Sequence, residues 1–201
     1  METHKLDTDK QIFFYEQDFY VLSNFSAFRI NWKRHVFDTS EAVYHWEKFP
    51  DNPYYQGLVQ SAASAHESFK FAERFKSFRR KDWDAVKVDI MRDILRAKVK
   101  QHEYVHRKLL ATGERELIED SWRDDFWGWG PNKDGQNMLG KLWMEIRAEI
   151  RKNELNEIVT SKEVIKSITT GSLDKVSLDC GNPSCPKCNT VPTSFTPVNN
   201  E

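Results

Sequence analysis

The sequence predicts an α+β fold: a mostly helical single domain with a small N-terminal antiparallel β element. Three observations support this prediction. Residues 11–38 are rich in aromatic and β-branched residues that are broken by polar turn residues. From residue 39 onward, apolar side chains recur at helical spacing behind helix-capping residues. The chain has 201 residues, of which 39% are hydrophobic, and this is enough for one sizeable core but too little for two.

The expected strands are short. Four of them precede the first helix, in the segments QIFFYEQ, FYVLSNF, FRINW and HVFD, and a fifth is expected at ELIED, residues 116–120. Four capping signals mark expected helix starts: Ser40, Asn52 followed by Pro53, Ser64 in the capping box SAHE, and Asp82. Gly113 is expected to end a later helix, and an amphipathic helix in NMLGKLWMEIRAEIRKN closes the domain.

We expect the domain to span residues 12–152. After about residue 155 the sequence becomes rich in Ser, Thr, Asn and Pro, which predicts a weakly ordered polar tail over 155–201 with one short helix near 163–168. The three cysteines of the chain lie in this tail, at Cys180, Cys185 and Cys188. A structural zinc site normally takes four ligands, and no histidine follows His106 to supply the fourth. Reduced thiols are therefore favoured over a zinc site, and no metal is expected.

Charge and hydropathy exclude several classes of function. The formal net charge is −1, which argues against a broad nucleic-acid surface but leaves room for a local phosphate pocket. The N-terminal METHKLDTDKQ lacks the apolar core of a signal peptide, and no apolar run approaches the ~20 residues that span a bilayer. We expect a soluble protein in the reducing cytoplasm, with no membrane partner; the sequence does not indicate its oligomeric state.

The helix expected in TSEAVYHWEKF, residues 39–49, raises the first question about a site. At about 100° per residue, its polar side chains fall within one roughly 100° arc: Glu41, Tyr44, His45 and Lys48. A lysine held beside aromatic walls loses hydration, so that its pKa falls and its amine becomes a nucleophile. The pattern alone nevertheless favours a solvated charged face.

A second candidate is the glycine loop WGWGPNKDGQNMLG with the acidic residues before it. Gly128 and Gly130 free backbone amides, the helix start near Asn137 favours an anion, and Trp127 offers a surface for stacking on a base. Asp124 is able to act as an acid or base or to hold a ribose. From the pattern alone, a structural turn and ordinary surface charges are the more common outcomes.

Taken together and in order along the chain, these motifs resemble the NADAR family, the YbiA-like N-glycosidases that include the riboflavin-biosynthesis-intermediate glycosidases. The resemblance covers roughly residues 12–152. It rests on five segments: FYVLSNFSAF at 19–28, TSEAVYHWEKF at 39–49, KDWDAVKVDIMRDILRAKVKQH at 81–102, LLATGERELIEDS at 109–121, and DDFWGWGPNKDGQNMLGKLWMEIR from Asp124 to residue 147.

The resemblance implies hydrolysis of an N-glycosidic bond at a ribose anomeric carbon, without a cofactor. The implied substrates are phosphorylated ribosylamino-pyrimidines of riboflavin synthesis, or ADP-ribose on a nucleobase. The implied catalytic residues are Glu41, which positions a ribose hydroxyl or relays a proton, Lys48, which protonates the leaving group or attacks the opened sugar, and Asp124, which holds the sugar or activates water. The expected substrate-binding residues are Asn24, Ser40, Arg79, Arg80, Trp127, Gly128, Gly130 and Asn137.

The sequence departs from the family pattern at Ala42, where histidine is usual, and at His45, where glutamine is common, which affects the choice of substrate more than the type of bond. Trp83 is a candidate pocket wall, although a core position is favoured. Two other functions stay open: a non-catalytic module that binds ADP-ribose or a nucleotide, and an interaction module whose cysteines hold zinc with a partner. Product release distinguishes the first from an enzyme, and metal content tests the second.

Overall fold

The computed structural model describes residues 6–15 and 17–169. The strands are β1 (Gln11–Phe14), β2 (Ile30–Trp32), β3 (His35–Phe37) and β4 (Glu116–Glu119). The α-helices are α1 (Ser40–Trp46), α2 (Pro53–Gln60), α3 (Ala65–Arg74), α4 (Trp83–Gln101), α5 (Glu103–Ala111) and α6 (Met138–Thr169). Short 3₁₀ helices span Gln17–Leu22 and Lys76–Phe78. The expected mostly helical α+β fold is confirmed.

The strands form two separate pairs. Strands β2 and β3 make the expected antiparallel element, in which Ile30 pairs with Phe37 and Trp32 with His35. Strands β1 and β4 pair in parallel, so that the fifth predicted strand lies beside the first. The prediction of a strand in FYVLSNF is wrong, because Gln17–Leu22 is a 3₁₀ helix there. A short apolar run buries its side chains equally well in either conformation, so its composition did not distinguish them.

The side-chain capping bonds at three of the four predicted helix starts differ from one another. The N-cap of α1 is Thr39 rather than Ser40, since Thr39 Oγ1 accepts the backbone N–H of Ala42 at 3.2 Å. Ser64 caps α3 as predicted and accepts the N–H of Glu67 at 3.1 Å. Asp82 occupies the N-cap position of α4 without a side-chain capping bond.

Helix α1 lies at the centre of the core. It packs against α2, α3 and α4 and against both strands of the antiparallel pair. Trp143 of α6 is fully buried, and its Nε1 donates to the carbonyl oxygen of Leu22 at 2.8 Å. Burial of one such large side chain contributes roughly 1.5–3 kcal/mol, so a core rich in rings fixes α1 firmly.

Contacts divide the chain into two units, residues 1–154 and 155–201. Helix α6 continues to Thr169, whereas the sequence predicted a closing helix that ends near 152 and a tail with one short helix near 163–168. The rest of the predicted tail, with Cys180, Cys185 and Cys188, lies outside the described residues. In the part of the chain that is described, no helix has the length and apolar character needed to cross a membrane.

Candidate active site

The polar face of α1 is buried, and the solvated interpretation of it is therefore wrong. Tyr44, His45 and Lys48 are buried, and the side chain of Glu41 is only 13% exposed. Ala42 and its apolar neighbours on the other flank are buried as well, so tertiary packing covers α1 on both sides. Polar groups inside a protein are retained where hydrogen bonds or ion pairs compensate for lost hydration.

Lys48 follows the end of α1 and lies in an aromatic setting. Its Nζ is 3.6 Å from Glu73 Oε1 of α3, and it lies 5.3 Å from the ring centre of Tyr44 and 5.6 Å from that of Trp83. Burial lowers the pKa of Lys48, against the opposing effect of the nearby carboxylates Glu73 and Glu41. A larger share of neutral amine is therefore present than in a solvated lysine, which suits either proton transfer or nucleophilic attack.

Glu41 is held by the histidine one turn further along α1. His45 Nε2 lies 2.7 Å from Glu41 Oε1. Burial lowers the pKa of His45 although Glu41 opposes the change, so the ring is neutral near pH 7 and its Nε2–H donates to the carboxylate. Within the described residues, the buried Nδ1 of His45 has no hydrogen-bond partner.

Asp124 organises the loop that faces α1. Its Oδ1 accepts the backbone N–H of Phe126 at 2.9 Å and of Trp127 at 2.7 Å. This turn sets the indole of Trp127 edge-on to Tyr44, with ring centres 5.5 Å apart and planes at 88°. Burial raises the pKa of Tyr44, and Glu41 and Asp124 add to the increase. The loop carboxylate and the helix carboxylate thus act on one ring.

The glycine loop is pinned to β4. Asn137 has a φ of 50°, and its side chain donates to the carbonyl oxygen of Leu117 at 2.8 Å and accepts the N–H of Glu119 at 3.0 Å. A Cβ at Gly128 would lie 2.8 Å from the carbonyl oxygen of Glu119, and Gly130 has a φ of +70°. These contacts give the three loop residues a structural role, and their direct contact with substrate stays a prediction.

Two predicted binding residues lie at the start of α1. The carbonyl oxygen of Asn24 accepts the backbone N–H of Glu41 at 3.1 Å, so the loop before β2 is tied to the site. Asn24 Oδ1 and Ser40 Oγ are buried and find no hydrogen-bond partner in residues 6–15 and 17–169. Buried polar atoms without a partner are rare in folded proteins and are typical of places where water or a ligand completes the bonding.

The two predicted arginines line a cavity formed by residues 49–52 and 78–82, but Arg80 is held more firmly than Arg79. Arg80 is held by Asp82, through bonds of 2.6 and 2.8 Å, and its backbone N–H donates to the carbonyl oxygen of Lys48 at 2.8 Å. Arg79 makes a looser ion pair with Asp84 at 3.6 Å, and its charge acts on the pKa of Lys48. The cavity measures about 680 Å³ and is lined by Phe49, Pro50, Asp51, Asn52, Phe78, Arg79, Arg80, Lys81 and Asp82.

Sequence reasoning missed two carboxyl groups. Glu73 lies on α3, whereas Lys48 follows the end of α1, and nothing in the sequence indicates that α3 brings Glu73 close to Lys48. Glu119 ends strand β4 (ELIE), directly after the apolar pair Leu117 and Ile118, and this position was a usable signal. Among residues 6–15 and 17–169, no group of three His, Cys, Asp or Glu side chains is placed to hold a metal ion.

Fold and site define a mostly helical α+β domain in which a buried lysine, acidic side chains and aromatic rings converge on one central helix. The NADAR domain family model matches residues 13–151, and the chain belongs to this family.

Relatives of known name agree with this assignment. An N-glycosidase of Nostoc punctiforme is 37% identical over 144 residues, which cover 70% of this chain and 92% of that protein. A riboflavin biosynthesis protein of Vibrio vulnificus is 35% identical over 147 residues, which are 72% of this chain but only 40% of that protein. The NMR structure of YbiA from Escherichia coli matches with a TM-score of 0.68 at 32% identity, covering 75% of this chain and 90% of that one. The same E. coli protein is named an N-glycosidase.

Proposed function

We propose that the protein is an N-glycosidase that cleaves the bond between the anomeric carbon of a ribose and a nitrogen, with Glu41, Lys48 and Asp124 as the reacting groups. The observation that carries the proposal is Lys48, a buried amine of lowered pKa that lies beside two aromatic rings and within the influence of Glu41. The relatives named as N-glycosidases support the same class of reaction.

Cleavage of this bond makes two demands on the site. Positive charge develops on the anomeric carbon, and the bonding electron pair leaves with the nitrogen, which must take up a proton. The carboxylates of Glu41 and Asp124 stabilise the sugar cation. The ammonium form of Lys48 protonates the nitrogen, water adds to the anomeric carbon, and the proton that this water loses restores the ammonium form. The net change is the addition of one water molecule.

A covalent route uses the same lysine as a nucleophile. The neutral amine of Lys48 attacks the anomeric carbon of the opened sugar and forms a C–N bond, and the bond to the base breaks as a proton of the attacking amine passes to the leaving nitrogen. Water then hydrolyses the resulting imine, which releases the sugar and restores the amine. The lowered pKa of Lys48 supports this route, and reduction with borohydride during turnover distinguishes the two, because only the covalent route leaves a sugar attached to Lys48.

The cavity formed by residues 49–52 and 78–82 supports a phosphorylated substrate. Its lining combines the basic Arg79, Arg80 and Lys81 with two aspartates, and Arg79, which has the looser ion pair of the two arginines, is able to hold a phosphate. We therefore propose a phosphorylated ribosylamino-pyrimidine or an ADP-ribosylated nucleobase as the substrate, and the cytoplasm as the place of action.

The proposal is tested by product release. Purified protein is incubated with a ribosylamino-pyrimidine phosphate and, separately, with an ADP-ribosylated nucleic acid, and free ribose phosphate or ADP-ribose is measured. Release is expected from one of the two and is expected to vanish in Lys48→Ala and Glu41→Ala. Lys100→Met is the control, because it removes an exposed lysine of α4. Full activity in folded Lys48→Ala and Glu41→Ala variants rules out the mechanism, and tight binding without release from any substrate identifies a binding module instead.

A further inference from the structure

His45 occupies the turn of α1 between two of the proposed reacting groups. Glu41 lies four residues before it and Lys48 three residues after it, so the three side chains share one face of the helix. The helical turn continues as far as Lys48, whose backbone N–H donates to the carbonyl oxygen of His45 at 3.3 Å. The imidazole ring therefore stands between the carboxylate and the amine.

The contact between His45 and Glu41 is short and enclosed. His45 Nε2 lies 2.7 Å from Glu41 Oε1, and the two side chains are 3% and 13% exposed. The rings of Tyr44 and Phe69 lie edge-on to the imidazole, with centres 5.4 and 5.7 Å from its own, and they restrict its rotation. Since water has little access to the pair, the hydrogen bond is stronger than the same bond at the surface.

Hydrogen bonding decides which nitrogen of His45 carries the proton. Nδ1 is buried and has no hydrogen-bond partner among the described residues. A proton on Nδ1, in the other tautomer or in the imidazolium, would make it a buried donor without an acceptor, which costs the desolvation of that group. A proton on Nε2 is instead shared with Glu41 Oε1. The ring thus donates from Nε2 to the carboxylate and keeps Nδ1 bare.

The bond to His45 determines where the charge of Glu41 lies. It occupies Oε1 and leaves Oε2 to face a sugar hydroxyl or the developing cation. It also holds the carboxylate back from Lys48, which pairs with Glu73 of α3 at 3.6 Å. The side chain of Glu41 already leans along the helix toward Lys48 in order to reach His45. Without the bond, the carboxylate and the ammonium would attract each other, and an ion pair between them would withdraw both from the substrate.

We propose that His45 is a positioning residue, which orients the carboxylate of Glu41 toward the ribose and keeps it from pairing with Lys48. This inference rests on the proposed function. His45 acts through Glu41 and transfers no proton, because its Nε2–H stays on the ring throughout the reaction. Its contribution falls on kcat, since a carboxylate that is already oriented stabilises charge that develops only in the transition state.

Two substitutions of His45 separate this role from packing, because they place a donor at different positions. In His45→Gln the amide nitrogen takes the place of Nε2, whereas in His45→Asn it takes the place of Nδ1 and cannot reach Glu41. We expect His45→Asn to lower kcat by about ten- to a hundredfold with KM little changed, which is the effect of losing one hydrogen bond to a charged group. His45→Gln is expected to recover kcat to within about fivefold of the wild type.

His66→Asn is the matched control. His66 is an exposed histidine of α3 that stacks on the same Phe69, with ring centres 6.2 Å apart, and it has no bond to Glu41. We expect wild-type kcat and KM in this variant. Equal losses of kcat in folded His45→Gln and His45→Asn, or wild-type kcat in His45→Asn, would overturn the inference while the N-glycosidase proposal stands.

A second measurement uses the wild type and does not depend on turnover. The ¹⁵N NMR spectrum at neutral pH distinguishes a protonated ring nitrogen from a bare one, and the signals of His45 are identified by their absence in His45→Gln. We expect Nε2 to be protonated, Nδ1 to be bare, and the Nε2 signal to shift in Glu41→Gln. A proton on Nδ1 shows that the inference about His45 is wrong even in an active enzyme. If the wild type releases no product from any ribosylated substrate, the proposed function has failed, and the positioning role fails with it.

Discussion

Lys98 of α4 has no exposed surface, and its Nζ donates to the carbonyl oxygen of Ser23 at 2.9 Å and to Ser26 Oγ at 2.8 Å. The substitution Lys98→Met removes the amine and keeps a side chain of similar length. Neither partner is left without a bond, because the Ser26 hydroxyl also donates to the carbonyl oxygen of Ser23 at 2.7 Å. The variant therefore isolates the effect of a buried amine on stability.

The expected change in the free energy of unfolding follows from the burial of the amine. Burial lowers the pKa of Lys98 from 10.5 to about 7. At roughly 1.4 kcal/mol per pH unit, this pKa difference means that the charged amine destabilises the folded protein by about 5 kcal/mol. The two lost hydrogen bonds are worth roughly 1 kcal/mol each. Near pH 6, where the amine is charged, the free energy of unfolding of Lys98→Met is therefore expected to exceed that of the wild type by about 2–3 kcal/mol.

The sign of the pH dependence follows from the direction of the shift. Between about 7 and 10.5 the unfolded chain binds a proton at Lys98 that the folded protein has lost. The free energy of unfolding of the wild type consequently rises with pH in this window, by up to roughly 1.4 kcal/mol per pH unit from this group. Lys98→Met lacks this contribution, so its advantage is greatest below pH 7 and shrinks as the pH increases.

Denaturation by urea, followed by tryptophan fluorescence, measures both quantities. Wild type, Lys98→Met and the exposed control Lys100→Met are compared at about pH 6, 8 and 9.5. The control is expected to differ from the wild type by less than roughly 0.5 kcal/mol at each pH. A difference between Lys98→Met and wild type that stays constant from pH 6 to 9.5, or a variant less stable than wild type at pH 6, refutes the reasoning.

Two further predictions concern the loop and the cavity. Gly128→Ala places a Cβ 2.8 Å from the backbone of β4, so we expect a loss of about 1–3 kcal/mol in the free energy of unfolding. Gly57→Ala lies in a helix with nothing within 4 Å of the new Cβ, and its free energy of unfolding is expected to rise by about 0.5–1 kcal/mol. If urea denaturation finds Gly128→Ala more stable than Gly57→Ala, the packing argument is wrong. Arg79→Met is expected to raise KM for a phosphorylated substrate about tenfold or more, whereas Arg80→Met, whose guanidinium is already paired, changes it little; equal effects on KM rule out Arg79 as the phosphate contact.

Local signals in the sequence predicted helix starts and ends correctly where these depend on a few neighbouring residues. Asn52 with Pro53 and the capping box at Ser64 start helices as predicted, because capping depends on residues within one turn. Gly113, with a φ of +61°, follows the end of α5 as expected of a C-terminal glycine. The 3₁₀ helix over Gln17–Leu22 escaped prediction because a short apolar run carries no decisive period.

In the candidate site, too, features set by local sequence were predictable and features set by tertiary packing were not. Glu41 and Lys48 were named from their helical spacing and the family motif, and Asp124 from its place before the glycine loop. The burial of Glu41 and Lys48 was not predictable, because the packing around α1 comes from α2, α3 and α4. Glu73 was not identified at all, since its approach to Lys48 depends on how α3 packs against the segment that follows α1 rather than on any spacing along the chain.

By itself, the sequence determined the fold class, the family and the motifs of the central helix and the glycine loop, because these depend on local propensity and on the order of residues. Only the tertiary structure decided which acids and amines lose their water. The loss of hydration on burial lowers the pKa of Lys48 and raises the pKa of Glu119. In both cases the burial depends on the packing of segments that lie far apart in the chain. The chemistry of this site is thus encoded in residue types but set by burial.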